Sequence, residues 1–155
     1  MKKVLIALDY NPSAQKVAET GYLLAKAMKA EVVLLHVITD SGYYSAVTHG
    51  SIMGFPGYMD PGLTNVTQPE ILRKKSFDFL DQTKKHLKDE TIESEVIEGY
   101  AAAGILKIAK KINADLVVIG SHSKRWLEKI LVGSVTEEVL RDSTIPLFII
   151  PIKEE

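Results

Sequence analysis

The chain has 155 residues, 46% of them hydrophobic, with 19 lysines and arginines against 20 aspartates and glutamates and a net charge of -1. That length suits one domain, the apolar fraction excludes a disordered chain, and the balanced charge gives no global pull toward nucleic acid or an anionic membrane. With no cysteine, disulfides, thiolate catalysis and cysteine-ligated zinc are excluded together.

After Met1-Lys2-Lys3, five apolar residues precede Asp9. This is too few for the apolar stretch of a signal peptide or for a membrane helix, so a cytoplasmic location is expected. Val4 to Leu8 is a continuous apolar run, the mark of a strand buried on both faces of a parallel sheet. Asn11-Pro12-Ser13 opens a helix, with Asn11 as its expected cap, and Val17, Gly21, Tyr22, Leu24, Ala25 and Met28 form its inward stripe. Glu31 to Ile38 is the second strand, and two such strands joined by a helix make a right-handed βαβ unit.

From Thr39 to Pro69 the rhythm breaks into a stretch rich in glycine, proline and aromatic residues, expected to be either a surface excursion or a lid or partner-contact loop. A helix is expected over Glu70 to Leu87, with Leu72, Phe79, Leu80, Thr83 and Leu87 inward. Ile92 to Ile97 reads as a strand interleaved with glutamates, hence at a sheet edge. Gly99 to Ile112 is a helix, Asp115 to Ile119 the fourth strand, Ser134 to Arg141 a helix and Ile145 to Ile150 the last strand. The expected fold is α/β, a single doubly wound, Rossmann-like parallel sheet of five strands ordered 3-2-1-4-5, with helices on both faces.

In such sheets ligands bind beyond the carboxyl ends of the strands, where the strand order reverses. Strands one and four would flank that point, bringing Asp9 toward Gly120-Ser121-His122-Ser123. Gly120 permits a sharp turn and close backbone approach. Gly133 and Ser134 open a helix whose free N–H groups attract anions. Ser121, Ser123 and Ser134 offer hydroxyls, and Lys124 and Arg125 supply charge. Asp9 suits ribose hydroxyls or a divalent metal.

Gly120-x-x-Ser123, nine residues and Gly133-Ser134 together resemble the signature of the universal stress protein family, Gly-x-x-Gly, nine residues, Gly-Ser/Thr. The likeness spans the chain, through Val4 to Asp9, Leu35-His36-Val37, Ala114 to His122 and Ile145 to Pro151. The resemblance implies the adenine nucleotide alpha hydrolase-like form of the fold and a bound adenine nucleotide (ATP, ADP or AMP), with Mg carried by the nucleotide beside Asp9. Asp9 would hold the ribose and Val37 would meet adenine through its backbone. Gly120, Ser123, Gly133 and Ser134 would cradle the phosphates. Ala7, Leu8, His36, Ser121, His122, Arg125, Val135 and Thr136 would complete the surroundings. It also implies a homodimeric sensor or adaptor in stress responses, with no agreed catalytic residue. Ser123 stands where the family has its second glycine.

Plainer readings stand beside these. Ser134-Val135-Thr136-Glu137 is also a capping box, Asp9 can simply support the turn into Asn11-Pro12, His36 can be a satisfied strand-end histidine, and His122 a polar loop residue. No histidine spacing reads as a metal site. Neither a Gly-x-x-x-x-Gly-Lys-Ser/Thr loop, a Gly-x-Ser-x-Gly elbow nor a Gly-x-Gly-x-x-Gly turn is present. The alternatives to a nucleotide sensor are therefore a dimeric interaction protein of the same fold and a slow ATP hydrolase using Asp9 with a metal. The unbroken apolar run of the last strand, Ile145 to Ile150, would need covering at a sheet edge, and pairing with a second copy is the expected solution.

Overall fold

A computed structural model describes residues 1–9, 12–39, 69–121 and 134–152. Its elements are β1 (Lys3–Ala7), α1 (Ala14–Ala27), β2 (Glu31–Ile38), α2 (Pro69–Leu87), β3 (Glu93–Glu98), α3 (Ala101–Lys111), β4 (Leu116–Ser121), α4 (Ser134–Asp142) and β5 (Leu147–Pro151). The strands form one parallel sheet in the order β3-β2-β1-β4-β5. The apolar runs mark the sheet interior because a strand covered by helices on both faces has no polar side to show: Val4, Leu5 and Ile6 of β1 are wholly buried.

Alternate residues of each strand feed two cores. Val4, Ile6, Val32, Leu34, Val96 and Val118 pack with α1 and α2 through Val17, Ala18, Leu72, Phe79 and Leu80. Leu5, Val33, Leu35, Val117 and Ile119 pack with α3 and α4 through Ile105, Ile108, Ala109 and Val139. Gly21 lets α1 lie close to the sheet, since a Cβ there would come within 3.0 Å of both Ile6 and Val118.

The inward faces differ from the expected stripes in detail. Ala18 joins α1's stripe, and Ser76 joins α2's, its hydroxyl donating to the Leu72 carbonyl at 2.8 Å. The expected cap at Asn11 is a correction: α1 begins at Ala14 with Ser13 in its cap position, and Asn11 itself lies outside the described residues. Helix α3 starts at Ala101 rather than Gly99, because Gly99 turns the chain at φ 133°, a conformation glycine tolerates. Strand β5 starts at Leu147 rather than Ile145. Both main-chain groups of Ile145 are engaged by Ser143 Oγ, which donates to its carbonyl at 2.7 Å and accepts from its N–H at 3.0 Å.

Three helices stop in the same way. Lys29, Lys88 and Asn113 adopt positive φ of 54°, 56° and 55° after α1, α2 and α3. The next residues, Ala30, Asp89 and Ala114, donate their N–H groups back to Ala25, Lys84 and Ala109, the six-to-one bond of a Schellman motif. Asp89 then ties α1 to the turn before β3. Its carboxylate accepts from the Thr91 hydroxyl and N–H, from Lys26 at 3.0 Å and from the Tyr22 hydroxyl at 2.9 Å. These bonds, those from Thr91 first and then Lys26, hold its carboxyl well below the usual carboxylate range.

Candidate functional site

The site follows from where β1 stops. Its pairing with β2 ends at Ala7↔Leu35, while β2 runs on to Ile38 against β3. Its pairing with β4 ends at Ile6↔Val118, while β4 runs on through Ile119, Gly120 and Ser121 against β5. Both neighbours therefore outrun the central strand at their carboxyl ends. The result is a notch with Ala7, Leu8 and Asp9 as its floor and the ends of β2 and β4 as its walls, at the point where a doubly wound sheet places its ligands.

Strand alternation decides what the walls present. In β2, Glu31 donates its N–H to the Lys2 carbonyl and Leu35 accepts from the Leu8 N–H at 2.8 Å. The odd-numbered residues thus turn their main-chain groups toward β1, and Val37 is the next of them. In β4, Val117 bonds toward β5 through the Pro146 carbonyl, as does Ser121 through the Ile152 N–H. Gly120 accordingly faces the notch, and its carbonyl accepts the Thr136 hydroxyl of α4 at 3.1 Å. The expected turn at Gly120 is a correction: Gly120 and Ser121 belong to β4, paired with Ile150 and Pro151.

Besides Thr136, two buried polar side chains stand at this end of the sheet among the described residues. The His36 ring is 1% exposed, meets Phe79 edge-on at 5.9 Å and places Nδ1 2.8 Å from the Leu8 carbonyl oxygen. A carbonyl only accepts, so Nδ1 carries the proton. Burial holds the imidazole below the usual histidine range, against the opposing pull of the Leu8 carbonyl and of the Asp9 charge. Ser121 lies on the face covered by α4, and its buried hydroxyl has no hydrogen-bond partner among the described residues.

The structure thus brings together Ala7, Leu8, Asp9, His36, Val37, Gly120, Ser121 and Thr136. The His36 ring reaches the floor of the notch from within the core. Val135 is exposed on the first turn of α4, and Ser134 is its first residue. His122, Ser123, Lys124, Arg125, Trp126 and Gly133 lie outside the described residues, as does the stretch 40–68. Among the described residues no cluster of acidic and histidine side chains has the form of a metal site, and no helix is long and apolar enough to cross a membrane. Among the described residues this end of the sheet thus presents main-chain donor and acceptor groups at Val37, a carboxylate at Asp9 and a buried hydroxyl at Ser121 without a hydrogen-bond partner.

Gly104, missed in the sequence, shapes one wall. A Cβ there would come within 2.7 Å of Ile97 Cδ1 and 3.4 Å of both Val37 methyls, so its absence lets α3 settle directly over Val37. The only signal for it was a glycine at a helix position that a larger residue ordinarily takes.

Comparison with known proteins agrees with this geometry. Residues 1–151 match the model of the universal stress protein family. The universal stress protein MJ0577 of Methanocaldococcus jannaschii is 30% identical over 98% of this chain and 96% of its own. Its solved structure superposes with a TM-score of 0.66, at 27% identity over 99% of this chain and 98% of that one. The fold is shared with a universal stress protein solved in complex with cAMP, at TM-score 0.59 and 20% identity over 96% of this chain and 95% of that one. It is shared too with one from Archaeoglobus fulgidus in complex with dAMP, at TM-score 0.60 and 18% identity over 97% and 98%. Strand order, notch and the whole-length match lead to one assignment: the chain belongs to the universal stress protein family.

Proposed function

We propose that this protein is an adenine-nucleotide-binding sensor or adaptor of the cytoplasmic stress response, acting as a homodimer. The observation that carries the reading is the notch itself, in which Val37 turns its main chain, and Asp9 sits, toward a space bounded by Gly120. The base edge would meet Val37, the ribose hydroxyls Asp9, and the phosphates Gly120, Ser123, Gly133 and Ser134, with Mg held by the nucleotide. Complexes of similarly folded proteins with cAMP and dAMP support the ligand class. A second reading, a dimeric interaction protein without nucleotide, is favoured by Ser123 standing where the family has glycine. Its Cβ at a left-handed position would cost about 1–2 kcal/mol.

The two readings part in one experiment. The purified protein is denatured and the released small molecules are identified by mass spectrometry, and the nucleotide-free protein is titrated with ATP-Mg in a calorimeter. Release of an adenine nucleotide, or saturable heat, is the expected result. No nucleotide and no heat would reject the sensor and leave the interaction protein.

A further inference from the structure

We propose that His36 is a positioning residue of the nucleotide site: by taking the Leu8 carbonyl, its imidazole keeps the Val37 N–H available to a ligand. The assignment rests on the nucleotide-binding reading above and names what maintains the base-facing wall.

In a parallel ladder, a residue facing its neighbour donates its N–H to one residue of that strand and accepts at its C=O from the residue two further on. Leu8 donates to the Leu35 carbonyl at 2.8 Å, so the next rung would bring the Val37 N–H to the Leu8 carbonyl. Among the described residues that rung is not made. The Leu8 carbonyl instead accepts from His36 Nδ1–H, also at 2.8 Å. A side chain has replaced the main-chain donor, and the ladder ends one rung early with its last acceptor satisfied.

The replacement is held firmly. The ring is 1% exposed, lies edge-on to Phe79 and sits among the residues that α1 and α2 cover, so it does not swing away to solvent. With an apolar side chain at position 36, the Leu8 carbonyl would lose its donor at a nearly dry strand end. An unsatisfied buried acceptor is costly, and the nearest main-chain donor able to relieve it is the Val37 N–H. The strands would zip one rung further, and the group that meets the base would be consumed inside the sheet.

Asparagine carries an N–H at the same bond distance from Cα as histidine Nδ1, whereas glutamine carries its N–H one bond further out. The test measures ATP-Mg affinity by calorimetry and, without nucleotide, the exchange rate of the Val37 amide by NMR. His36→Asn is expected to bind within about threefold of wild type. His36→Leu is expected to bind at least about tenfold more weakly, or about 1.4 kcal/mol, with its Val37 amide exchanging more slowly while other β2 amides keep their rates. A folded His36→Leu protein that binds as wild type does, or whose Val37 amide is no slower, overturns the assignment and leaves nucleotide binding standing. If His36→Leu does not fold, His36→Gln replaces it: affinity about tenfold below that of His36→Asn supports the assignment, and equal affinities overturn it. Absence of binding by the wild type defeats the nucleotide reading itself, and this assignment with it.

Discussion

At the scale of single residues, His36 makes stability depend on pH in a definite direction. Burial lowers its pKa in the folded protein below the ordinary histidine value of 6.5. Below that value the unfolded chain takes up a proton that the folded chain refuses, so the unfolded state binds more protons and stability falls with falling pH. The contribution is complete above about pH 6.5 and is lost as the pH drops from there toward the folded pKa. We expect the unfolding free energy from urea titrations to be level above about pH 7 and to decline through pH 6 to 5. The difference from His36→Asn should shift across this window, because asparagine does not titrate, and a constant difference would contradict the burial argument. The chemistry of residue 36 was visible in the sequence as a histidine at a strand end. Its partner was not, because the bond to Leu8 depends on the register of two strands that only folding brings together. Ser121 is similar: its hydroxyl was legible, while its burial depends on α4 returning over the end of β4.

At the scale of elements, strands were easier to read than helix ends. Apolar runs such as Val32 to Leu35 leave little choice of environment, whereas α1, α2 and α3 end without the glycine that usually occupies the left-handed position after a helix. Lys29, Lys88 and Asn113 hold that position instead, so loss of apolar spacing was the only cue. The same fact yields a prediction. A side chain in the left-handed region carries strain of about 1–2 kcal/mol, partly offset in glycine by the greater freedom of its unfolded chain. Lys29→Gly should therefore stabilise the protein by about 0.5–1 kcal/mol, read as a higher thermal midpoint, with nucleotide affinity unchanged because Lys29 sits at the opposite end of α1 from the notch. A lower midpoint would show that the lysine side chain contributes more than its backbone costs. The buried hydroxyls of α2 were half legible: Thr83 was placed on the inner face, but Ser76 was not. A serine reads as outward until its hydroxyl is seen bonded to the carbonyl one turn earlier, as here to Leu72.

At the scale of the whole molecule, the two sheet edges are treated differently. The β3 edge carries Glu93, Glu95 and Glu98, and such charges discourage strand addition. The β5 residues Leu147 to Pro151 carry no charge, and Phe148 among them is 37% exposed. The β5 residues that bond to β4 are even-numbered, as shown by the Pro146 carbonyl and the Ile152 N–H, so Leu147, Ile149 and Pro151 turn their main chains outward. Pro151 has no N–H to give. A second copy related by a two-fold axis pairs antiparallel, and the register centred on Phe148 satisfies Leu147 and Ile149 reciprocally while leaving the proline out of the ladder. In that register the two Phe148 residues form a non-hydrogen-bonded pair with Cα atoms roughly 4.5 Å apart, their rings on the face of the sheet that Val118 and Ile150 share. A register centred on Ile149 would set the Pro151 ring against the Leu147 carbonyl, which then goes unpaired. The proposed homodimer thus has one favoured alignment, and Phe148 is its centre. Light scattering at micromolar concentration should give a dimer for the wild type and for Phe148→Leu. Phe148→Asp sets like charges directly opposite one another and should give a monomer whose circular dichroism is unchanged. A wild-type monomer would remove the dimer, and a dimeric Phe148→Asp protein would move the interface away from β5.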